Sequence, residues 1–234
     1  HVTVLKRCES VNNGGDGLVA EECPELRCED SSFSGNGGGG AVCLGGELDK
    51  ASPLLFERCV ANSNTGDGFR FDTIKSLDKA SPELSRCVAS NNGGSGVSVS
   101  GTRAGIQSFR CEDSSFTNNA RDGMSISPGL VDAACPVLLS RCISSGNGGH
   151  GVALSTSKEL DKASPKLAEC VMTNNSGNGL SVLVGHSSID WSVSIDDTDC
   201  DDNASDGMRF GGDLDGDGLL DVVCANSSSS GNGG

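Results

Sequence analysis

Asp213, Asp215, Asp217 and Asp221 set carboxylates at positions 1, 3, 5 and 9 of a glycine-bent segment. In such a loop alternate side chains fold around one point. A hard divalent cation such as Ca2+ takes about six to eight oxygen ligands, which this spacing supplies together with the backbone carbonyl of Leu219. The expected cofactor is therefore Ca2+, held by Asp213, Asp215, Asp217, Leu219 and Asp221 in a loop spanning 213–221. Asp196, Asp197, Asp199, Asp201, Asp202 and Asp206 lie just upstream, so a cation would relieve repulsion among stacked carboxylates. Nothing beside the loop resembles a nucleophile or an activated-water site. The ion is read as structural, no catalytic residue is assigned, and the chain is not expected to be an enzyme.

Twelve cysteines are the second chemical feature. Cys8, Cys59, Cys87, Cys142, Cys170, Cys200 and Cys224 recur at one place in a repeat, with Ser32 and Ser115 filling the two remaining copies. Strands stacked about 4.8 Å apart bring their Cα atoms inside the disulfide window, while buried free cysteine stacks equally well as a small hydrophobe. An oxidising compartment with some disulfides is expected, with no pairing assigned. No Cys-x-x-Cys with histidine partners points to zinc. Asn174, Asn203 and Asn226 open Asn-x-Ser sequons and are candidates for N-glycosylation.

The elements that position these groups follow from periodicity. A glycine precedes a short alternating apolar pair at Gly68, Gly96, Gly123, Gly151, Gly179 and Gly207, at intervals of 28, 27, 28, 28 and 28. Leu48, Leu77, Val131, Leu160 and Ile189, each followed by Asp, form another ladder of the same period. Three of its members open the hexapeptide Leu-Asp-Lys-Ala-Ser-Pro. Period-two alternation over three to five residues is a strand signature, and the intervening Asn-Gly and Asp-Gly pairs supply turns. The fold expected is all-β: a single-stranded parallel β-helix of about nine coils, each of roughly 28 residues and three short strands. It is one continuous repeat domain over 1–234, read as a segment of a longer array.

The segments Cys87-Val-Ala-Ser-Asn-Asn-Gly-Gly-Ser-Gly-Val-Ser-Val99 and Cys170-Val-Met-Thr-Asn-Asn-Ser-Gly-Asn-Gly-Leu-Ser-Val182 resemble the Asn/Gly-rich repeats of the right-handed parallel β-helix superfamily. Right-handedness is implied by that resemblance alone. The superfamily includes lyases, hydrolases, adhesins and passive fibres, so it implies fold rather than activity. The 213–221 segment, followed by Val222 and Val223, is similar to the calcium loops of FG-GAP and integrin-like repeats.

Within the repeat, Asn13, Asn36, Asn64, Asn92, Asn147 and Asn175 are expected to form a structural ladder of stacked amides. Arg7, Arg58, Arg86 and Arg141 are expected to point outward, with Ser31 and Ser114 interrupting the row and Glu169 and Asp199 continuing it. Asp49, Asp78, Asp132, Asp161 and Asp190 form a similar row.

A single Trp, no Tyr and 7 Phe suggest a thin aliphatic core. The formal charge of −15 repels a phosphate backbone, and no run of about 18 apolar residues exists, so neither nucleic acid nor membrane insertion is expected. Neither end shows a capping helix, and coils are expected to continue past both ends.

These features favour a structural subunit or segment of an extracellular or cell-surface filament, self-associating end to end. The alternative is an adhesive module that binds glycans or partners through the Arg or Asp rows. A polysaccharide lyase or hydrolase ranks behind both, since only Trp191 is available as a strong stacking residue and His150 and His186 stand apart.

Overall fold

The computed structural model describes residues 2–45, 52–73, 80–101, 106, 108–127, 136–156, 165–187, 191–214 and 220–234. The chain winds as a parallel β-solenoid with three walls. The first wall contains nine strands: Thr3–Lys6, Leu26–Glu29, Ser52–Glu57, Ala80–Ser85, Phe109–Glu112, Val137–Ser140, Lys166–Ala168, Trp191–Asp196 and Leu220–Ala225. The third wall contains eight, from Leu18–Glu21 to Met208–Leu214. The expected nine coils therefore amount to eight complete turns, from the first strand to the last. The second wall is narrower. Val88–Ser90, Ser115–Thr117 and Ile143–Ser145 form its strands, and single bridges extend it from Glu9 to Ser228.

Alternation explains the walls. Ala80–Ser85 and Val97–Gly101 bury every second side chain, and parallel pairing stacks like on like: Phe69 on Val97, Val97 on Met124, Met124 on Val152. The few aromatics are not marginal to the core. Phe33, Phe56, Phe69, Phe71, Phe109 and Phe116 are all buried, and Phe56 meets Phe69 and Phe71 edge-on at centroid separations of 5.4 and 5.7 Å. The interior is thus mixed aromatic and aliphatic rather than purely aliphatic.

Each coil turns two of its corners with a left-handed residue. Arg7, Asp30, Arg58, Arg86, Asp113, Arg141, Glu169, Asp197 and Asn226 form the first corner, all with φ between 48° and 54°. This corrects the expected arginine row: Asp30, Asp113 and Asp197 continue it, not Ser31, Ser114 and Asp199. The second corner is Asn12, Gly35, Ser63, Asn91, Asn118, Gly146, Asn174, Asp202 and Gly231. At Gly146, φ is 70° and a Cβ would meet Asn118 Oδ1 at 2.5 Å, so a side chain there would have to displace the Asn118 amide.

The cysteine ladder is also revised. The residue after the first corner runs Cys8, Ser31, Cys59, Cys87, Ser114, Cys142, Cys170, Thr198, Ser227. Cys8 N–H donates to Ser31 Oγ at 3.1 Å, Cys87 N–H to Ser114 Oγ at 3.0 Å and Thr198 N–H to Ser227 Oγ at 3.1 Å. Ser32 and Ser115 lie one residue further on, in the bridge row. Cys200 stands two residues past the ladder position, level with Met172. Cys224 pairs with Ile195 inside the first wall, in the strand row that also holds Cys28 and Cys111.

The eleven described cysteines all carry free thiols, against the expectation of disulfides; Cys135 lies outside the described residues. In-register parallel strands hold neighbouring Cβ atoms at the strand spacing of about 4.8 Å, beyond the roughly 3.5–4.5 Å of a disulfide. The thiols turn to carbonyls instead: Cys59 Sγ donates to Cys28 O and Cys142 Sγ to Cys111 O, each at 3.4 Å. Burial pushes the Cys28 and Cys200 thiols up to about 12 and raises Cys43 as well.

Candidate binding groove

The asparagine ladder fixes the turn between the second and third walls. It contains the six expected residues and also Asn119, Asn203 and Asn232. At each level, backbone N–H and side-chain Nδ2 donate to the Oδ1 of the next asparagine, as from Asn92 to Asn119 at 3.1 and 3.0 Å. Nδ2 also reaches back to a carbonyl of the preceding coil, as from Asn119 to Ala89 O at 3.1 Å. From Asn36 to Asn203 these amides are buried yet satisfied, which is the condition for burying them at all.

Beyond the ladder, the row Gly15, Gly38, Gly66, Gly94 leaves the outer surface without side chains, and the row Gly17, Gly40, Gly68, Gly96 turns toward the packed interior. The second row is glycine in every coil. A Cβ on Gly96 would meet Gly123 O at 2.7 Å and Phe116 Cβ at 2.9 Å, so tight coil stacking demands it. Between these rows stand residues that accept the next coil's N–H through a side chain. Asp16 Oδ1 accepts Gly39 N–H at 2.5 Å, Asp67 Oδ1 accepts Ser95 N–H at 2.7 Å, and Asp122 Oδ1 accepts His150 N–H at 2.7 Å. His150 serves in the same row: its Nδ1 accepts Asn178 N–H at 2.9 Å, which places the ring proton on Nε2.

The result is a groove of about 380 Å³ floored by glycine and lined by Asp16, Thr65, Asp67, Arg70 and Arg121. Arg70 projects from the third wall and pairs with Asp72, a contact that raises the guanidinium pKa. Asp72 is nearly buried, and its Oδ1 accepts the Ser100 hydroxyl at 2.6 Å. Arg121 occupies the row that is glycine at 15, 38, 66, 94, 149 and 177, and it makes no ion pair with a described residue. Asp16 and Asp67 also lie close enough to Arg70 to add to the rise in its pKa. The arrangement offers donors and acceptors of both signs along the rod axis and little apolar surface.

The sequence gives one sign of this groove. Asn119-Ala-Arg-Asp-Gly123 stands where other coils read Asn92-Gly-Gly-Ser-Gly96, placing a cation in a glycine row. Arg70 carries no comparable signal, because only the register shows that it faces out beside Asp67.

The expected calcium ligands are mostly beyond description. Asp215, Asp217 and Leu219 lie outside the described residues, as does the side chain of Asp213; Asp221 is exposed on the last strand of the first wall. Among the described residues no three His, Cys, Asp or Glu converge as a metal site. Asp199 and Asp201 do come together, both reaching Ser228 Oγ, at 2.7 and 2.9 Å. The Ser230 backbone N–H lowers the Asp201 pKa, with Ser228 contributing. The expected ladder of Leu48, Leu77, Val131, Leu160 and Ile189, and the Asp row that follows it, lie outside the described residues, as do the side chains of His186 and Trp191.

The sequons divide. Asn174 and Asn226 are exposed. Asn203 is buried in the ladder, with Nδ2 donating to Met172 O at 2.9 Å and to Asn232 Oδ1 at 3.2 Å, which leaves no room for a glycan on that nitrogen.

The first corner is a ribbon of ion pairs rather than a binding site. Arg58 bridges Asp30 and Glu57, Arg86 reaches Glu57, and Arg141 bridges Glu112 and Asp113. The Arg58 hydrogen bond lowers the Asp30 pKa, and Arg141 does the same for Asp113.

Residues 1–129 match the family model described as the right handed beta helix region. Among solved structures, the A-module of Azotobacter vinelandii mannuronan C-5 epimerase AlgE4 is similar at a TM-score of 0.49 and 14% identity, covering 96% of this chain and 78% of that one. The AlgE6 A-module from the same organism gives a TM-score of 0.42 and 12% identity, with coverage of 98% and 80%. No residue role passes from them to this chain. No curated protein matches it in sequence.

Proposed function

The chain belongs to the right-handed β-helix family, and on that premise we propose that it is a structural segment of an extracellular or cell-surface filament, extended end to end by coil stacking. The polarity of the asparagine ladder carries this reading. Every rung donates toward its C-terminal neighbour. The rung is the same in every coil, so a further coil, from the same chain or from a second copy, can add to the ladder with the same bonds.

In this reading the chain is not an enzyme. The Asp213–Asp221 loop holds a structural Ca2+ beside the acidic C-terminal coils, and the exposed Asn174 and Asn226 carry any glycans. Sedimentation velocity and negative-stain imaging over a range of concentrations, with Ca2+ or with a chelator, test the proposal. Rods that lengthen with concentration, lengthen further with Ca2+ and shorten in Asn13→Ala are expected. One short species at every concentration, with and without Ca2+, would overturn stacking between subunits.

A further inference from the structure

The row after the first corner is bonded by the same rule as the asparagine ladder. Cys8, Cys87 and Cys170 donate N–H to the side-chain oxygen one coil on, that of Ser31, Ser114 and Thr198, at 3.1, 3.0 and 3.4 Å. Where the next residue is cysteine, sulfur takes the bond. The backbone of Ser31 reaches the Cys59 thiol, that of Cys59 the Cys87 thiol, that of Ser114 the Cys142 thiol and that of Cys142 the Cys170 thiol. A backbone donor at sulfur favours the thiolate, the form that binds metal.

Cysteine fills this row in neighbouring coils twice, as Cys59 with Cys87 and as Cys142 with Cys170. The arrangement is duplicated: Ser31, Cys59 and Cys87 recur 83 residues on as Ser114, Cys142 and Cys170. All four cysteines are buried, and the thiols of each pair adjoin, each shifting the other's ionisation. Their sulfurs are also set alike. Cys59 Sγ lies 3.4 Å from Cys28 O and 3.5 Å from Glu57 O, and Cys87 Sγ lies 3.3 Å from Phe56 O and 3.4 Å from Ser85 O. The step from coil to coil therefore relates the two sulfurs and sets them about 4.8 Å apart. Two metal–sulfur bonds of about 2.3 Å in line span about 4.6 Å. Cys28 and Cys111 stand nearby in the strand row, but among the described residues no three such ligands converge. Two thiolates in line suit a soft ion such as Cu(I), whereas Zn2+ takes four ligands and Ca2+ takes oxygens.

We propose that Cys59 with Cys87, and Cys142 with Cys170, are two equivalent buried sites for Cu(I), each ion tying two neighbouring coils together. The ion does across a coil step what a disulfide is too short to do. On loading, two S–H bonds break and two Cu–S bonds form, both protons pass to water, and nothing is oxidised or reduced. Because the thiols are buried, the ion enters before the coils close around it. The sites do not depend on end-to-end stacking, since both pairs lie in interior coils.

The test refolds the full chain under nitrogen with Cu(I) supplied as its acetonitrile complex, then desalts it in the presence of a Cu(I) chelator. Two copper ions per chain are expected by elemental analysis, with X-ray absorption showing two sulfur neighbours for each. The thermal midpoint should lie above that of the chain refolded without copper. Cys87→Ser and Cys142→Ser should each retain one ion, and the double variant should retain none and lose the thermal shift. Circular dichroism should show these variants folded, since serine already fills the row at Ser31 and Ser114. Changing the more exposed Cys8, Cys23 and Cys224 together to serine should leave both ions in place. Fewer than two ions per folded chain, copper retained in the double variant, or three sulfur neighbours per ion would overturn the proposal. So would copper lost with the exposed thiols, which would make it an adventitious ion only.

Discussion

The two left-handed corners share a backbone and differ in everything else. At the first corner φ is near 50° and the side chains are solvated ions, paired with Asp and Glu one coil away. Next to the second corner lie asparagine amides, buried and bonded in three directions. The contrast shows which rows hold the coils together. Ions that keep their water gain little from pairing, whereas a buried amide has no alternative partner if its neighbour is removed. Sequence variety follows the same division: the charged corner accepts Arg, Asp, Glu and Asn, while the ladder position accepts only Asn in every coil.

The largest effect should come from breaking the buried row. Asn119→Ala strands the N–H and Nδ2 of Asn92 and the carbonyl of Ala89 in the interior. At about 1–3 kcal/mol for each stranded group, a loss of roughly 3–5 kcal/mol is expected in urea unfolding. A loss under about 1 kcal/mol would mean that water reaches the ladder.

Alkaline pH should come next. The Cys28 thiol is pushed up from 9.0 to about 12 by burial, so the fold holds it protonated while the unfolded chain ionises. Its contribution is intact below pH 9 and is lost as pH rises toward 12. The slope should be about 1.4 kcal/mol per pH unit for each such thiol. Cys200 behaves alike, so denaturant midpoints should fall steeply above pH 9 and stay flat between pH 7 and 8.

A smaller, sharper difference separates two cysteine rows. Cys87→Ser places a hydroxyl where Ser31 and Ser114 already donate to the carbonyl two residues back, at 2.8 Å. It should cost less than about 1 kcal/mol, whereas Cys28→Ser inside the first wall should cost about 2 kcal/mol, because a hydroxyl there has been given no partner. Equal losses in thermal unfolding would contradict the revised ladder. The smallest effect is expected at the charged corner. Arg141→Ala should leave the thermal midpoint almost unchanged, and any change should vanish at high salt.

Much of the fold was legible because glycine leaves no choice. The row from Gly68 to Gly207 keeps its period because a Cβ anywhere in it collides with the next coil. Cysteine was a poorer marker, since it packs equally well in the corner row and in the strand row three residues earlier. Cys28 and Cys111 occupy the strand in the two coils where Ser31 and Ser114 fill the corner, and that exchange displaced the predicted ladder by one residue. Identical sequence misleads in another way. Ala-Ser-Pro recurs at 51–53 and 80–82, yet Ser52 pairs with Ala80 and Pro53 with Ser81, one residue out of step. Wall register is set by the buried residues beyond the repeat, Phe56 on Leu84. The groove was legible only at Arg121, because outward neighbours from different coils become adjacent only once register is known.

The central claim is that one continuous buried amide ladder unites the eight turns. Hydrogen exchange of the asparagine side-chain amides, followed by NMR, tests it most directly. Slow exchange of the Nδ2 protons of Asn64, Asn92, Asn119, Asn147 and Asn175, with fast exchange at the exposed Asn174 and Asn226, is the predicted result. Fast exchange at all of them would contradict the account.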